Sequence, residues 1–140
     1  CLRAAFFIFI LFNPVFKGNL ARFSMSDYTE KPVLDTKSVL DRIGGDKLRL
    51  KQLYSFSIHE IRTWNDKLSE SLNSLNYDEI RKTVHGLKGS SATLGAERCR
   101  SLFAEAEILI LNNQKEEAFE LLKKSNEEIK ELIKEISGNC

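Results

Sequence analysis

The sequence predicts an all-α protein: an antiparallel up-down four-helix bundle with a short additional N-terminal helix. Three observations predict it. From residue 35 onward, apolar side chains recur every three or four positions almost without interruption. No stretch alternates with period two for long enough to argue a strand. The 140 residues hold only two prolines and seven glycines, too little turn chemistry for a many-stranded sandwich or barrel.

The first three helices have a legible start and stop. Asp35 can cap a short helix from Thr36 to about Ile43, which the Gly44-Gly45 pair ends. Asp46 caps a long second helix whose apolar stripe runs Leu50, Leu53, Tyr54, Ser57, Ile61, Trp64, Leu68, Leu72, Leu75. Asn76, with Glu79 three residues on, makes a capping-box-like start for the third helix. That helix carries Ile80, Val84, Leu87, Ser91 and Leu94 on one face, and Gly95 ends it. A fourth presents Cys99, Leu102, Phe103, Ala106, Leu109 and Ile110. After Asn112-Asn113, a fifth presents Ala118, Leu122, Ser125, Ile129, Leu132 and Ile136. Long amphipathic helices with short connections pack most economically antiparallel, so residues 35–137 are expected to form the domain and 25–34, with Pro32, an extended lead-in.

Residues 1–24 are a different kind of sequence. They hold six of the nine phenylalanines, three basic residues and no acids. The apolar run Ala4–Phe12 is nine residues long, well short of the ~20 that span a bilayer as a helix. Its length suits a signal-peptide core behind Arg3, yet Met is missing at position 1 and no small-residue cleavage pattern follows. Met25 is the only methionine and stands before ordinary polar sequence. Translation is therefore expected to start there, with residues 1–24 an apolar extension outside the fold; a remnant membrane anchor is the alternative. N-terminal sequencing of the native protein separates the two.

Composition excludes several functions. Twenty-one Lys+Arg against 20 Asp+Glu give a net charge of +1, with no basic field for nucleic acid. Two histidines exclude chemistry that needs several. Cys1, Cys99 and Cys140 form no CxxC or Cys/His cluster, so neither a zinc site nor a disulfide framework is expected. Cys99 reads as the buried thiol of a cytoplasmic protein.

One constellation carries chemistry. The third helix reads His85-Gly86-Leu87-Lys88-Gly89-Ser90-Ser91-Ala92-Thr93-Leu94-Gly95. At about 100° per residue, His85 falls off the core stripe with Arg81, Lys88, Gly89 and Ala92, and should face solvent. Gly86 and Gly89 inside a helix each cost about 0.5–1 kcal/mol relative to Ala. At Gly89 that cost leaves clearance one turn beyond the ring. An exposed imidazole, an ammonium three residues on and a bare approach suit a group handed over by another protein. A neutral imidazole is a nucleophile toward phosphorus, and Lys88 can pair with the phosphate it would carry. Arg81 and Lys82 add positive potential for docking. Ser90 is open between bonding back to its own helix and touching that phosphate.

These eleven residues resemble the signature of histidine-containing phosphotransfer (HPt) domains, with every fixed position filled, and the resemblance extends over roughly residues 33–136, including Ile43-Gly44-Gly45-Asp46. It implies a phosphocarrier of a two-component phosphorelay. His85 would accept a phosphoryl group from the aspartyl phosphate of one response-regulator receiver domain and pass it to another. It further implies that Lys88 holds the phosphate, Gly89 admits the receiver and Gly95 shapes the helix end. Gly86 departs from the family, many of whose members have a better helix former there. The chain would need no cofactor or metal of its own, because Mg²⁺ is expected on the receiver, and would have no autonomous catalytic site. Receiver domains and a hybrid histidine kinase are the implied partners of what is expected to be a monomer.

The remaining residues read as structure. His59 is expected exposed but without a cation or clearance, beside Glu60, which would repel a phosphate. Trp64 is expected in the core. Apolar docking surface is expected on the first helix (Val39, Leu40, Ile43) and the outer side of the second. Two other functions remain: a module of a larger hybrid kinase seen as a fragment, and a helical adaptor that binds receivers without carrying phosphate. An autonomous enzyme is disfavoured, for want of a nucleophile–base pair, metal set or phosphate-cradling loop.

Overall fold

Two aspartates start the helical part of the chain. Asp35 accepts from the Ser38 amide at 3.0 Å, and Asp46 accepts from the amides of Leu48 and Arg49 at 3.0 and 3.1 Å. Each satisfies donors that the first helical turn would leave orphaned. The computed structural model describes residues 28–138, so the expected 1–24 extension and the proposed start at Met25 lie outside the described residues. Among those described there are five helices and no strand: α1 (Thr36–Arg42), α2 (Lys47–Ser74), α3 (Tyr77–Leu94), α4 (Glu97–Leu111) and α5 (Lys115–Gly138). The protein is all-α.

Residues that meet between neighbouring helices run in opposite senses. Trp64 lies against Gly86, while Leu72 shares a small apolar hollow with Ile80. Glu107 meets His85 and Lys88, while Ile110 lies beside Ile80. Arg98 pairs with Glu128, while Ile110 also meets Ala118. A hydrogen bond from Asn65 to Asn126 joins α2 to α5 and closes the ring of four long helices. Their shared interior holds Tyr54, Ile61, Leu87, Leu102, Phe103, Leu132 and Ile136, all fully buried. Each large apolar side chain so buried contributes about 1.5–3 kcal/mol toward offsetting chain entropy. Buried Ser71 and Ser125 return their hydroxyls to Lys67 and Leu122 carbonyls at 2.6 Å, so these two polar positions are satisfied within their own helices.

Three expectations need correcting. Leu75 does not join the apolar stripe: α2 stops at Ser74, Leu75 turns left-handed (φ 54°), and its side chain is swung out to 57% exposure. Trp64 is only partly buried and packs at the edge of the core. The lead-in, where described, is not simply extended. It opens on a turn (Lys31 amide to Tyr28 carbonyl, 3.2 Å) with Tyr28 buried, and is tied to α4 by Arg98, whose amide and Nε donate to the carbonyls of Pro32 and Lys31. Burial first, then the nearby carboxylates of Glu128 and Glu105, pushes the Tyr28 phenol above its ordinary value.

The short α1 fastens the end of α3. Arg42 donates to the carbonyls of Ala92 and Thr93, and the Asp35 amide donates to Gly95 at 2.8 Å. Cys99 is buried, and desolvation pushes its thiol up to about 12, which keeps it protonated and unreactive at neutral pH. None of the described helices is long and apolar enough to cross a membrane.

Candidate functional site

The helix that carries the site is fixed at both ends by local chemistry. Asn76 accepts from the Glu79 amide, Asp78 and Glu79 place negative charge in the first turn, and Gly95 ends the helix with φ +76°. Between them Ile80, Thr83, Val84, Leu87, Ser91 and Leu94 are buried. That stripe sets the rotation of α3 and leaves the His85 side chain 71% exposed.

The exposed ring is held from the neighbouring helix. Nδ1 of His85 lies 2.9 Å from Oε2 of Glu107, and Lys88 Nζ donates to Oε1 of the same carboxylate at 3.0 Å. Desolvation pushes the Glu107 carboxyl up, but the hydrogen bonds and charges of Lys88 and His85 together outweigh it and hold the group below its ordinary value. Glu107 is therefore ionised at neutral pH. An ionised carboxylate only accepts, so Nδ1 carries the proton and Nε2 of a neutral ring keeps its lone pair. Glu107 is the site residue that the sequence did not reveal. It lies 22 positions beyond His85 in an ordinary charged helix. The signal that finds it is the tight turn at Gly95-Ala96: His85 lies ten residues before Gly95 and Glu107 eleven after Ala96, nearly level along antiparallel helices.

Beside the ring is an open cleft of about 300 Å³ lined by Arg81, Lys82, His85, Glu107 and Leu111. Lys82 is engaged with Glu79 at 3.1 Å on its own helix. The three glycines near the site face different surroundings. A Cβ on Gly89 would meet nothing within 4 Å. One on Gly86 would lie 2.8 Å from the Trp64 indole, and one on Gly95 would lie 2.6 Å from Val39 Cγ2 and 2.8 Å from the Asp35 carbonyl oxygen. The indole seat gives the Gly86 departure a physical cause.

His59 is exposed on α2. Ser90 is half-buried and makes no side-chain hydrogen bond among the described residues, so it does not bond back to its helix. The expected docking surface on α1 is corrected: Val39 is buried, and Leu40 and Ile43 pack against the core. Large apolar side chains stand exposed instead at Leu48 and Phe56 on the outer side of α2, and at Ile108 and Leu111 on α4, where Leu111 walls the cleft.

Compared with known proteins, residues 52–139 match the sequence model of one family, described as Hpt domain. The match begins within α2 and takes in α3, α4 and α5, and with them His85, Lys88, Gly89, Gly95 and Glu107. No curated protein and no solved structure matches the chain.

Proposed function

The chain belongs to the Hpt domain family, and from that premise we propose that it is a phosphocarrier of a two-component phosphorelay, with His85 as the residue that carries the phosphoryl group. Nε2 attacks the phosphorus of an aspartyl phosphate on a response-regulator receiver domain. The N–P bond forms as the P–O bond breaks, and the aspartate carboxylate leaves with the bonding electrons. The reverse step delivers the group to the aspartate of a second receiver. A hybrid histidine kinase is the upstream partner, and the traffic is cytoplasmic.

The observation that carries this reading is the hydrogen bond from an exposed imidazole to an ionised Glu107. It fixes the tautomer that makes Nε2 the nucleophile. Attack by Nε2 also places positive charge on the ring, which the carboxylate 2.9 Å from Nδ1 offsets. Glu107 is thus a positioning residue, acting through His85. Phosphoryl transfer depends on in-line placement and on neutralising the oxygens in flight, so such a carrier needs little more than a nucleophile, nearby cations and a surface to dock on. In this reading Mg²⁺ and its acidic pocket come with the receiver, and the bare backbone at Gly89 admits it.

Incubation with a ³²P-labelled phosphorylated receiver tests the proposal. The expected label is acid-labile and alkali-stable, absent from His85→Gln and retained by His59→Gln. Label that persists in His85→Gln, or a receiver that binds without transferring label, would overturn the carrier reading, the latter in favour of an adaptor.

A further inference from the structure

The cations around His85 are not equally available to a ligand. Lys88 is committed to Glu107 at 3.0 Å, in a pair whose side chains are only 31% and 18% exposed. Lys82 is held by Glu79. Arg81 is exposed, stands one helical turn before His85, lines the same cleft, and makes no hydrogen bond or ion pair among the described residues.

We propose that Arg81 is the residue that binds the oxygens of the phosphoryl group on His85, while Lys88 serves to hold Glu107 ionised beside the ring. The inference rests on the carrier reading above and reassigns the role that resemblance gives to Lys88. Three physical points support it. Releasing Lys88 toward a phosphate would leave a largely buried carboxylate short of a partner just as a group with close to two negative charges arrives beside it. Side chains on a helix lean toward its N-terminus, so the His85 ring overlies the turn that carries Arg81 and Lys82. A phosphoryl group on Nε2, the ring nitrogen not engaged by Glu107, then enters the cleft over that turn. Finally, a guanidinium presents paired donors that match two phosphate oxygens, and Arg81 lines the same cleft as His85.

The test is an equilibrium, because docking charge alters how fast two proteins meet, whereas a phosphate contact alters where the group comes to rest. The full chain and its variants are each equilibrated with the phosphorylated receiver, and the ratio of phosphohistidine to aspartyl phosphate is measured. Arg81→Gln is expected to lower that ratio about three- to tenfold, with partial recovery in Arg81→Lys. Lys88→Gln is expected to lower it less. Arg81 is exposed and Gln is a good helix former, so the variant should fold. In the wild type, the Arg81 side-chain ¹⁵N resonance is expected to shift on phosphorylation. An unchanged ratio in Arg81→Gln, with or without a slower approach to it, would overturn the assignment, as would a larger loss in Lys88→Gln. Those results leave a labelled His85 intact, whereas label in His85→Gln would instead sink the carrier reading.

Discussion

Gly86 and Gly89 lie three residues apart on α3, on adjoining parts of its surface, and what they face is unlike. At Gly86 the side toward α2 is closed: the Trp64 indole occupies the place of a side chain, with ring atoms 2.8–2.9 Å from where a Cβ would stand. At Gly89 the surface is open, with nothing within 4 Å. Both glycines carry the same helix-propensity cost, about 0.5–1 kcal/mol relative to Ala. One cost is offset by a contact inside the molecule. The other has no internal return. Gly95 extends the closed side to the helix end, where α1 is seated.

The largest effect expected from filling the closed side is at Gly95. A left-handed φ costs an L side chain about 1–2 kcal/mol, and the new Cβ would lie 2.8 Å from the Asp35 carbonyl oxygen, whose own amide is bonded to Gly95. Backbone cannot yield as a side chain can. Gly95→Ala is expected to lose about 2–4 kcal/mol in denaturant unfolding. A loss under about 1 kcal/mol would mean that α1 is free to move away.

Gly86→Ala comes next. Overpacking against the indole costs about 1–3 kcal/mol, from which the improved helix propensity of about 0.5–1 kcal/mol must be subtracted. A net loss of about 1–2 kcal/mol is expected. Because Trp64 is the only tryptophan, its fluorescence reports the displacement directly. An unshifted emission spectrum would break the closed side of the comparison.

How legible each feature was follows the same division between near and far. Asp35, Asp46, Asn76 and Gly95 act on amides and carbonyls within a few residues, so the helix ends were readable from local sequence. The rotation of α3 was readable too, since its apolar stripe leaves only one face for His85. Non-local pairs were not readable. Gly86 reads from sequence only as a helix-propensity cost because its partner lies 22 positions earlier, and Glu107 draws no reading because its partners are on another helix. Val39 was misplaced for the same reason: its apolar character suits a docking surface as well as a seat against Gly95, and only the packing of α1 decides between them.

A smaller effect is expected where the open side meets α4. Glu107 has a folded value below its unfolded one of about 4.3. The unfolded chain therefore binds more protons between those values, and stability there rises with pH. The carboxylate's contribution is complete above about pH 4.3 and is lost as pH falls through the folded value. Wild type is expected to exceed Glu107→Gln by about 1 kcal/mol at neutral pH. The gap should close below about pH 4 and not between pH 6 and 8. A gap that stays open as pH falls below about 4 would show that the contribution does not come from the carboxylate's charge.

Gly89→Ala carries the smallest expected effect on stability, yet it tests the open side most sharply. A methyl group there touches nothing and improves the helix, so unfolding should become slightly harder, by about 0.5–1 kcal/mol. Transfer from a phosphorylated receiver should become slower, and slower again in Gly89→Leu, because the added atoms occupy the approach to His85 and not any internal contact. Opposite signs in stability and transfer distinguish clearance for a partner from tolerance within the fold. A variant that is both more stable and equally fast would place the receiver's approach elsewhere, and Leu111 on the far wall of the cleft is then the side chain whose enlargement to Trp should slow transfer.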